Sequence, residues 1–422
     1  MSQQHPALEL AEAVADQLHH PQVIRRFLPH DRWYPQSLAN GAPGIALLHV
    51  ELAALGLRPW QRVHDWLTSE PHFVTGPPSN PYYGAPAFAH AMAAAARTIP
   101  NAYQRALSSL DISIESAVLQ RISAARTRLD QAKIPVRAEF DTIRGLTGYG
   151  AYLLHRAPQS DALREILCYL VRIVEPIAVE GHPVPGWWCQ GSPSKRLDGQ
   201  FPHGHSNHGV AHGIGGPLAL LSLAAIRGIQ VAGQAAAIHT ICAWLDSWET
   251  TTGSATNWPY WISLTELCQG NAARPWAQRP SWCYGTAGLG RALQLAAIAT
   301  GDSARKHRVE TAVATTLADQ ATLTVTTDSS LCHGFAGLAH LASVIAADAT
   351  PQAAQQLRAH IPRLLGRVQE AGPAPRTVAE KLLTSAAAGP GFLDGAAGIA
   401  LAGLAAIIHP PQSRWDTCLL IA

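Results

Sequence analysis

Charge is scarce in this chain. Only 14% of its 422 residues are Asp, Glu, Lys or Arg, the formal net charge is +2, and no Lys/Arg tract concentrates it. Nucleic-acid binding and electrostatic attachment to a membrane surface therefore have no support in composition. Apolar runs stop short of a membrane-spanning length, as where Arg227 ends Gly216–Ile226. The opening residues lack the basic-then-apolar build of a secretion signal, so a soluble, cytoplasmic protein is expected. The seven cysteines (Cys168, Cys189, Cys242, Cys268, Cys283, Cys332 and Cys418) are odd in number and widely spread, with no C-x-x-C among them. A disulfide framework is not expected, and metal or catalytic use is the default for any special pair. Strand signals are also few: no sustained alternation occurs, and Thr322–Thr327 is the one notable β-branched run.

What the chain has in quantity is apolar residues, 47% of the total, and a recurring glycine turn. The turn reads Gly41-Ala-Pro-Gly44, a degraded Gly84-Ala-Pro-Ala87, Gly145-Leu-Thr-Gly148, Gly213-Ile-Gly-Gly216, Gly285-Thr-Ala-Gly288, Gly334-Phe-Ala-Gly337 and Gly395-Ala-Ala-Gly398. Seven copies at intervals of roughly 43 to 72 residues each leave room for about two helices. Ala- and Leu-rich runs follow each turn, as expected of helices buried on most faces. Amphipathic segments such as Asp161–Val174 and Pro351–Val368 read as a covering layer. The expected architecture is all-α: a single domain over residues 1–422, seven inner and seven outer helices closed into an α/α toroid. An open solenoid is the alternative. A long Pro-, Gly- and Trp-rich loop is expected at about 175–207 as a wall of the cleft, kept ordered by Trp187 and Trp188; Arg274–Ser281 is a second such lead-in.

Chemistry gathers in front of the glycines. His212, Tyr284 and His333 stand immediately before the first glycine of their copies, and Cys283 and Cys332 two before it. In a ring, equivalent positions of successive repeats face one axis, so Cys283, Cys332 and His333 would meet on one rim. Two thiolates and an imidazole suit zinc and leave a fourth position open; buried residues that cap helices are the ordinary alternative. Such a site favours a thiol substrate, because two thiolates already offset the charge of the ion. His212 is placed to give or take a proton, or is a core histidine. Asp141, four residues before Gly145, either orients that imidazole or caps a helix. Arg279 reads as a surface or cap-pairing arginine or an active-site cation, and Tyr284 as an enolate donor or a packing residue. His203, His205 and His208 read as loop residues that contact substrate rather than as a metal tract, although His208 and His212 stay open as a fourth ligand. Cys168 and Cys242 are expected in the core.

At Asn207-His-Gly-Val-Ala-His212-Gly, Arg279-Pro-Ser-Trp-Cys283-Tyr284-Gly and Cys332-His333-Gly, with Asp141 ahead of Gly145 and Pro185-Gly-Trp-Trp188 ahead of the histidine motif, the chain resembles the lanthionine synthetase C family. These are the stand-alone cyclases of lanthipeptide biosynthesis. The resemblance runs from about Asn40 to Ala402. It implies an α/α toroid with one zinc on Cys283, Cys332 and His333. The implied reaction is intramolecular Michael addition of cysteine thiols to dehydroalanine or dehydrobutyrine, giving thioether rings. His212 then corresponds to the general acid/base, Asp141 to its partner, and Arg279 and Tyr284 to further active-site positions. A leader-bearing precursor peptide is the implied substrate and a separate dehydratase the partner; work alone or with an exporter complex in a membrane-associated assembly both stay open, and a monomer is expected. The intervals between Gly84 and Gly213 leave little room for the inserted α/β domain that some members carry. A zinc protein that binds or senses thiols is the alternative. An α/α-toroid glycoside hydrolase or terpene cyclase finds neither paired carboxylates nor an Asp-rich motif, Asp394 being the one acid that directly precedes a repeat glycine.

Overall fold

The computed structural model describes residues 5–28, 33–252, 255–272 and 278–422. The lead-in at residues 274–277 thus lies outside the described residues. The chain groups into two compact units, one of Met1–Ile114 with Thr326–Asp416 and one of Glu115–Val325 with Thr417–Ala422.

The first unit holds four glycine-led helices: Ala42–Ala54, Ala85–Thr98, Phe335–Asp348 and Ala396–Ile407. Packing runs from Phe335–Asp348 to Ala396–Ile407, on to Ala42–Ala54 and then Ala85–Thr98. These helices are buried almost all round; in Ala396–Ile407 every residue through Ala406 is buried. Their near-uniform apolar sequence has no polar face to give to water. Covering helices Pro6–Gln17, Trp60–Leu67 and Pro351–Gln369 instead bury one stripe against them. Three buried polar residues of the glycine-led helices hold the end of the unit. The Glu51 carboxylate accepts from Gln412 N, Ser413 N and Ser413 Oγ, His90 Nε2 donates to the Trp415 carbonyl at 3.0 Å, and His340 Nε2 lies 3.2 Å from Asp416 Oδ2.

The second unit follows the same scheme with Leu146–Arg156, Gly215–Ile226 and Thr286–Thr300. Gly215–Ile226 packs against both of the others. Asp161–Arg172, Gln234–Ser247 and Ser303–Ala318 cover them. Arg291 Nε donates to the Ile421 carbonyl at 2.7 Å and Trp282 Nε1 to that of Leu419 at 2.9 Å.

The second glycine of the turn has a plain steric reason. A Cβ on Gly288 would run into the Trp282 carbonyl, and one on Gly337 into that of Leu331. The loop that carries Cys283 or Cys332 is thus laid directly on the first turn of its helix.

Strands are more numerous than the sequence suggests and sit elsewhere. Residues 322–324 end the helix Gln320–Thr324, because the Asp319 carboxylate caps it through Ala321 N and Thr322 N. The stretch expected as a long loop carries a hairpin, Ile177–Val179 with His182–Val184. It also carries the strand His205–Asn207, which pairs antiparallel with Trp261–Ser263. Trp187 and Trp188 are fully buried and keep this stretch ordered, their indole N–H groups donating to Ser206 Oγ at 3.0 Å and the His203 carbonyl at 2.8 Å. Rings of this size bring the most stabilisation when wholly removed from water.

Candidate active site

A device repeated along the chain fixes the residue in front of the first glycine. Four positions before that glycine stands a short polar side chain that accepts the backbone N–H three residues on. Ser37 Oγ takes Asn40 N at 3.1 Å, Ser281 Oγ takes Tyr284 N at 3.2 Å, and Ser330 Oγ takes His333 N at 3.1 Å. Asp141 Oδ1 takes Arg144 N at 2.7 Å and also Gly145 N at 2.9 Å. Such side-chain turns clamp the local backbone. Asp141 is among the residues expected at the site and Ser281 and Ser330 are not, although all three share one spacing, four residues before Gly145, Gly285 and Gly334.

In the second unit, Asp141 does more than close its turn. Its other oxygen, Oδ2, accepts from His212 Nδ1 at 2.7 Å. Asp141 is 1% exposed, whereas the His212 side chain is 34% exposed. A carboxylate can only accept here, so the neutral imidazole carries its hydrogen on Nδ1 and its lone pair on Nε2. The neighbouring backbone holds this register: Thr142 Oγ1 donates to the Val210 carbonyl at 2.6 Å, and Thr142 N to that of Ala211 at 3.1 Å. Val210 N in turn donates to the Cys283 carbonyl at 3.0 Å. Three segments distant in sequence, at 141–142, 210–212 and 283–284, are thereby joined through the main chain.

Tyr284 lies against Tyr260 and Trp261, with ring centroids 5.2 and 5.7 Å away. Its hydroxyl oxygen accepts from Asn207 Nδ2 at 3.1 Å. Burial pushes its pKa up to about 12, against the opposing effect of the Asn207 bond, so it remains a phenol at neutral pH. The half-buried Arg279 has its carbonyl held by the Tyr260 hydroxyl at 2.6 Å. Ser281 Oγ is 3.5 Å from Cys283 Sγ and also donates to the Tyr284 carbonyl.

In the first unit, His333 stands between two carboxylates. Its Nε2 is 3.3 Å from Asp328 Oδ2 and its Nδ1 3.5 Å from Asp394 Oδ1. Cys332 N donates to the Leu393 carbonyl at 2.9 Å, which sets the two turns side by side. Among the described residues, Cys283, Cys332 and His333 are the group of potential ligands whose Sγ and ring nitrogen atoms all lie within 4.8 Å of one another. Two sulfurs and one nitrogen in that range match the donor preference of zinc.

The other candidates separate from this group. His208 is 1% exposed; its Nδ1–H donates to the Pro259 carbonyl at 2.8 Å and its Nε2 accepts from Trp244 Nε1 at 3.0 Å. Burial lowers its pKa to about 4, so it is a neutral structural residue with both nitrogens used. His205 Nδ1 donates to the Gly191 carbonyl at 2.9 Å inside the protein, while the exposed His203 stands 3.5 Å from Glu180. Cys242 is buried as expected, its thiol pushed up to about 11, and Cys189 is raised further by complete burial. Cys168 is only partly buried.

A family profile described as lanthionine synthetase C-like protein matches residues 32–420. No curated protein sequence matches the chain. Among solved structures, nisin cyclase superposes with a TM-score of 0.75 at 20% sequence identity, covering 98% of this chain and 96% of that one. The likeness is one of fold, and that fold is an α/α toroid.

Proposed function

The chain belongs to the lanthionine synthetase C-like protein family, and from that premise and the geometry above we propose that it is a zinc-dependent lanthipeptide cyclase. Its substrate is a dehydrated, leader-bearing precursor peptide supplied by a separate dehydratase, and an exporter complex takes up the product. The observation that carries the catalytic reading is the 2.7 Å bond between His212 and the buried Asp141. A protein that only bound thiols would need the ligand group and no oriented proton carrier.

Cys283, Cys332 and His333 would hold the metal. When bound, a zinc ion with two thiolate ligands lowers the pKa of a substrate thiol yet leaves it nucleophilic. The sulfur lone pair forms the bond to Cβ of the dehydro residue, and the alkene π pair moves onto the carbonyl oxygen as an enolate. The thiol proton leaves to His212 Nε2, the nitrogen that the Asp141 bond keeps available. Return of that proton to Cα restores the carbonyl, so no proton is gained or lost overall. Tyr284, held as a phenol, and Arg279 are the donors for the enolate oxygen.

The test is metal content and ring closure in the same preparations. About one zinc per chain is expected in the wild type and little in Cys283→Ala or His333→Ala. A dehydrated peptide with free cysteines should lose its thiols at constant mass with the wild type alone. Full zinc in both variants would remove the ligand assignment, and unchanged thiols with loaded wild type would remove the cyclase reading.

A further inference from the structure

Asn207 is completely buried at the end of the strand His205–Asn207, opposite Trp261. Its side-chain amide has two neighbours. Gly209 N lies 3.1 Å from Oδ1 and Tyr284 Oη 3.1 Å from Nδ2. The orientation of the amide follows from chemistry. A backbone N–H can only donate, so the atom facing Gly209 is the oxygen and the atom facing Tyr284 is the NH2 group. An amide NH2 only donates, so the phenol oxygen must accept, and the phenol's own hydrogen is left for a different acceptor. Neither partner can easily turn away. The Asn207 carbonyl accepts from Ile214 N at 2.8 Å, and a Cβ on Gly209 would come within 2.6 Å of Tyr284 Cε1.

We propose that Asn207 is a positioning residue, which fixes the direction of the Tyr284 hydroxyl so that its proton is presented to the oxygen of the substrate carbonyl. This rests on the cyclase reading, in which negative charge grows on that oxygen. A phenol free to rotate would spend part of its time donating into the protein. The donated amide hydrogen bond removes that choice before substrate arrives and eases charge onto the phenol oxygen as the enolate forms.

Asn207→Asp is the discriminating change. One carboxylate oxygen still accepts from Gly209 N, so the turn is kept, while the other now accepts from the phenol and reverses its hydrogen bond. On a dehydrated peptide, kcat should fall about 10- to 100-fold with KM nearly unchanged, and the substitution should cost nothing further in a Tyr284→Phe background. In the full-length protein with 15N-labelled asparagine, the Asn207 side-chain amide resonances should move in Tyr284→Phe. Amide resonances that stay in place would overturn the proposal, as would an equal loss of kcat with and without the Tyr284 hydroxyl. A wild type that leaves dehydrated peptide unchanged would reject the cyclase reading instead, and the amide resonances would still decide whether Asn207 donates to the phenol.

Discussion

The two oxygens of Asp141 serve different partners: Oδ1 closes its own turn on Arg144 N and Gly145 N, and Oδ2 accepts from His212 Nδ1 at 2.7 Å. One carboxylate therefore takes both the structural and the orienting role open to it in the sequence. The lone pair of His212 Nε2 is a direct consequence.

Asp141→Asn should separate the two roles. The amide oxygen must still face the two backbone N–H groups, so its NH2 turns to His212 Nδ1 and forces the imidazole hydrogen onto Nε2. The fold should hold, with kcat for ring closure down by about 10²- to 10⁴-fold. Asp141→Ala should add a thermal destabilisation of about 1 kcal/mol from the lost turn. Full activity in the Asn variant would sink the tautomer argument.

The cysteines should differ sharply in metal content. Cys332→Ala is expected to lose bound zinc, whereas Cys189→Ala, at a thiol raised by complete burial and outside the ligand group, should keep it. Atomic-emission analysis of the two purified variants checks this, and retention by Cys332→Ala would contradict the assignment.

Two glycines should respond in opposite senses to alanine. At Gly337 the new methyl meets the Leu331 carbonyl beside Cys332, so a cost of about 1–3 kcal/mol and weakened metal binding are expected. At Gly366, inside the helix Pro351–Gln369, a Cβ has no atom within 4 Å, and alanine should stabilise by about 0.5–1 kcal/mol. Thermal unfolding of both variants tests the pair.

Stability should rise with pH between about 4 and 6.5. Burial lowers the pKa of His49, His90 and His208 from 6.5 to about 4. In that window the unfolded chain binds more protons than the folded one, so acid favours unfolding and the loss is complete near pH 4. Denaturant unfolding at pH 7, 6 and 5 should show a falling midpoint, and His208→Gln should flatten the dependence.

Much of this was legible locally. The all-α class and the glycine-led helices follow from periodic apolar runs and from turns that admit no side chain, as at Gly288 and Gly337. Cys283, Cys332 and His333 stood out because they hold equivalent places before a repeated glycine, whereas Asp141, four residues before Gly145, fitted a helix cap as well until the family resemblance gave it a role. Thr322–Thr324 end a helix because the capping carboxylate at Asp319 outweighs the β preference of Thr322 and Thr324.

Tertiary structure alone decided the protonation pattern. Which nitrogen of His212 bears hydrogen depends on a carboxylate 71 residues away, and which way the Tyr284 hydroxyl points depends on an amide 77 residues away. His208 looked like its neighbours in sequence and became a neutral strut because Trp244 and Pro259 claim both its nitrogens. Trp187 and Trp188 are held in the core by Ser206 and the His203 carbonyl in the same way. Residue type sets what a side chain can donate, accept or bury, and only the partners brought to it by the fold decide which of those it does.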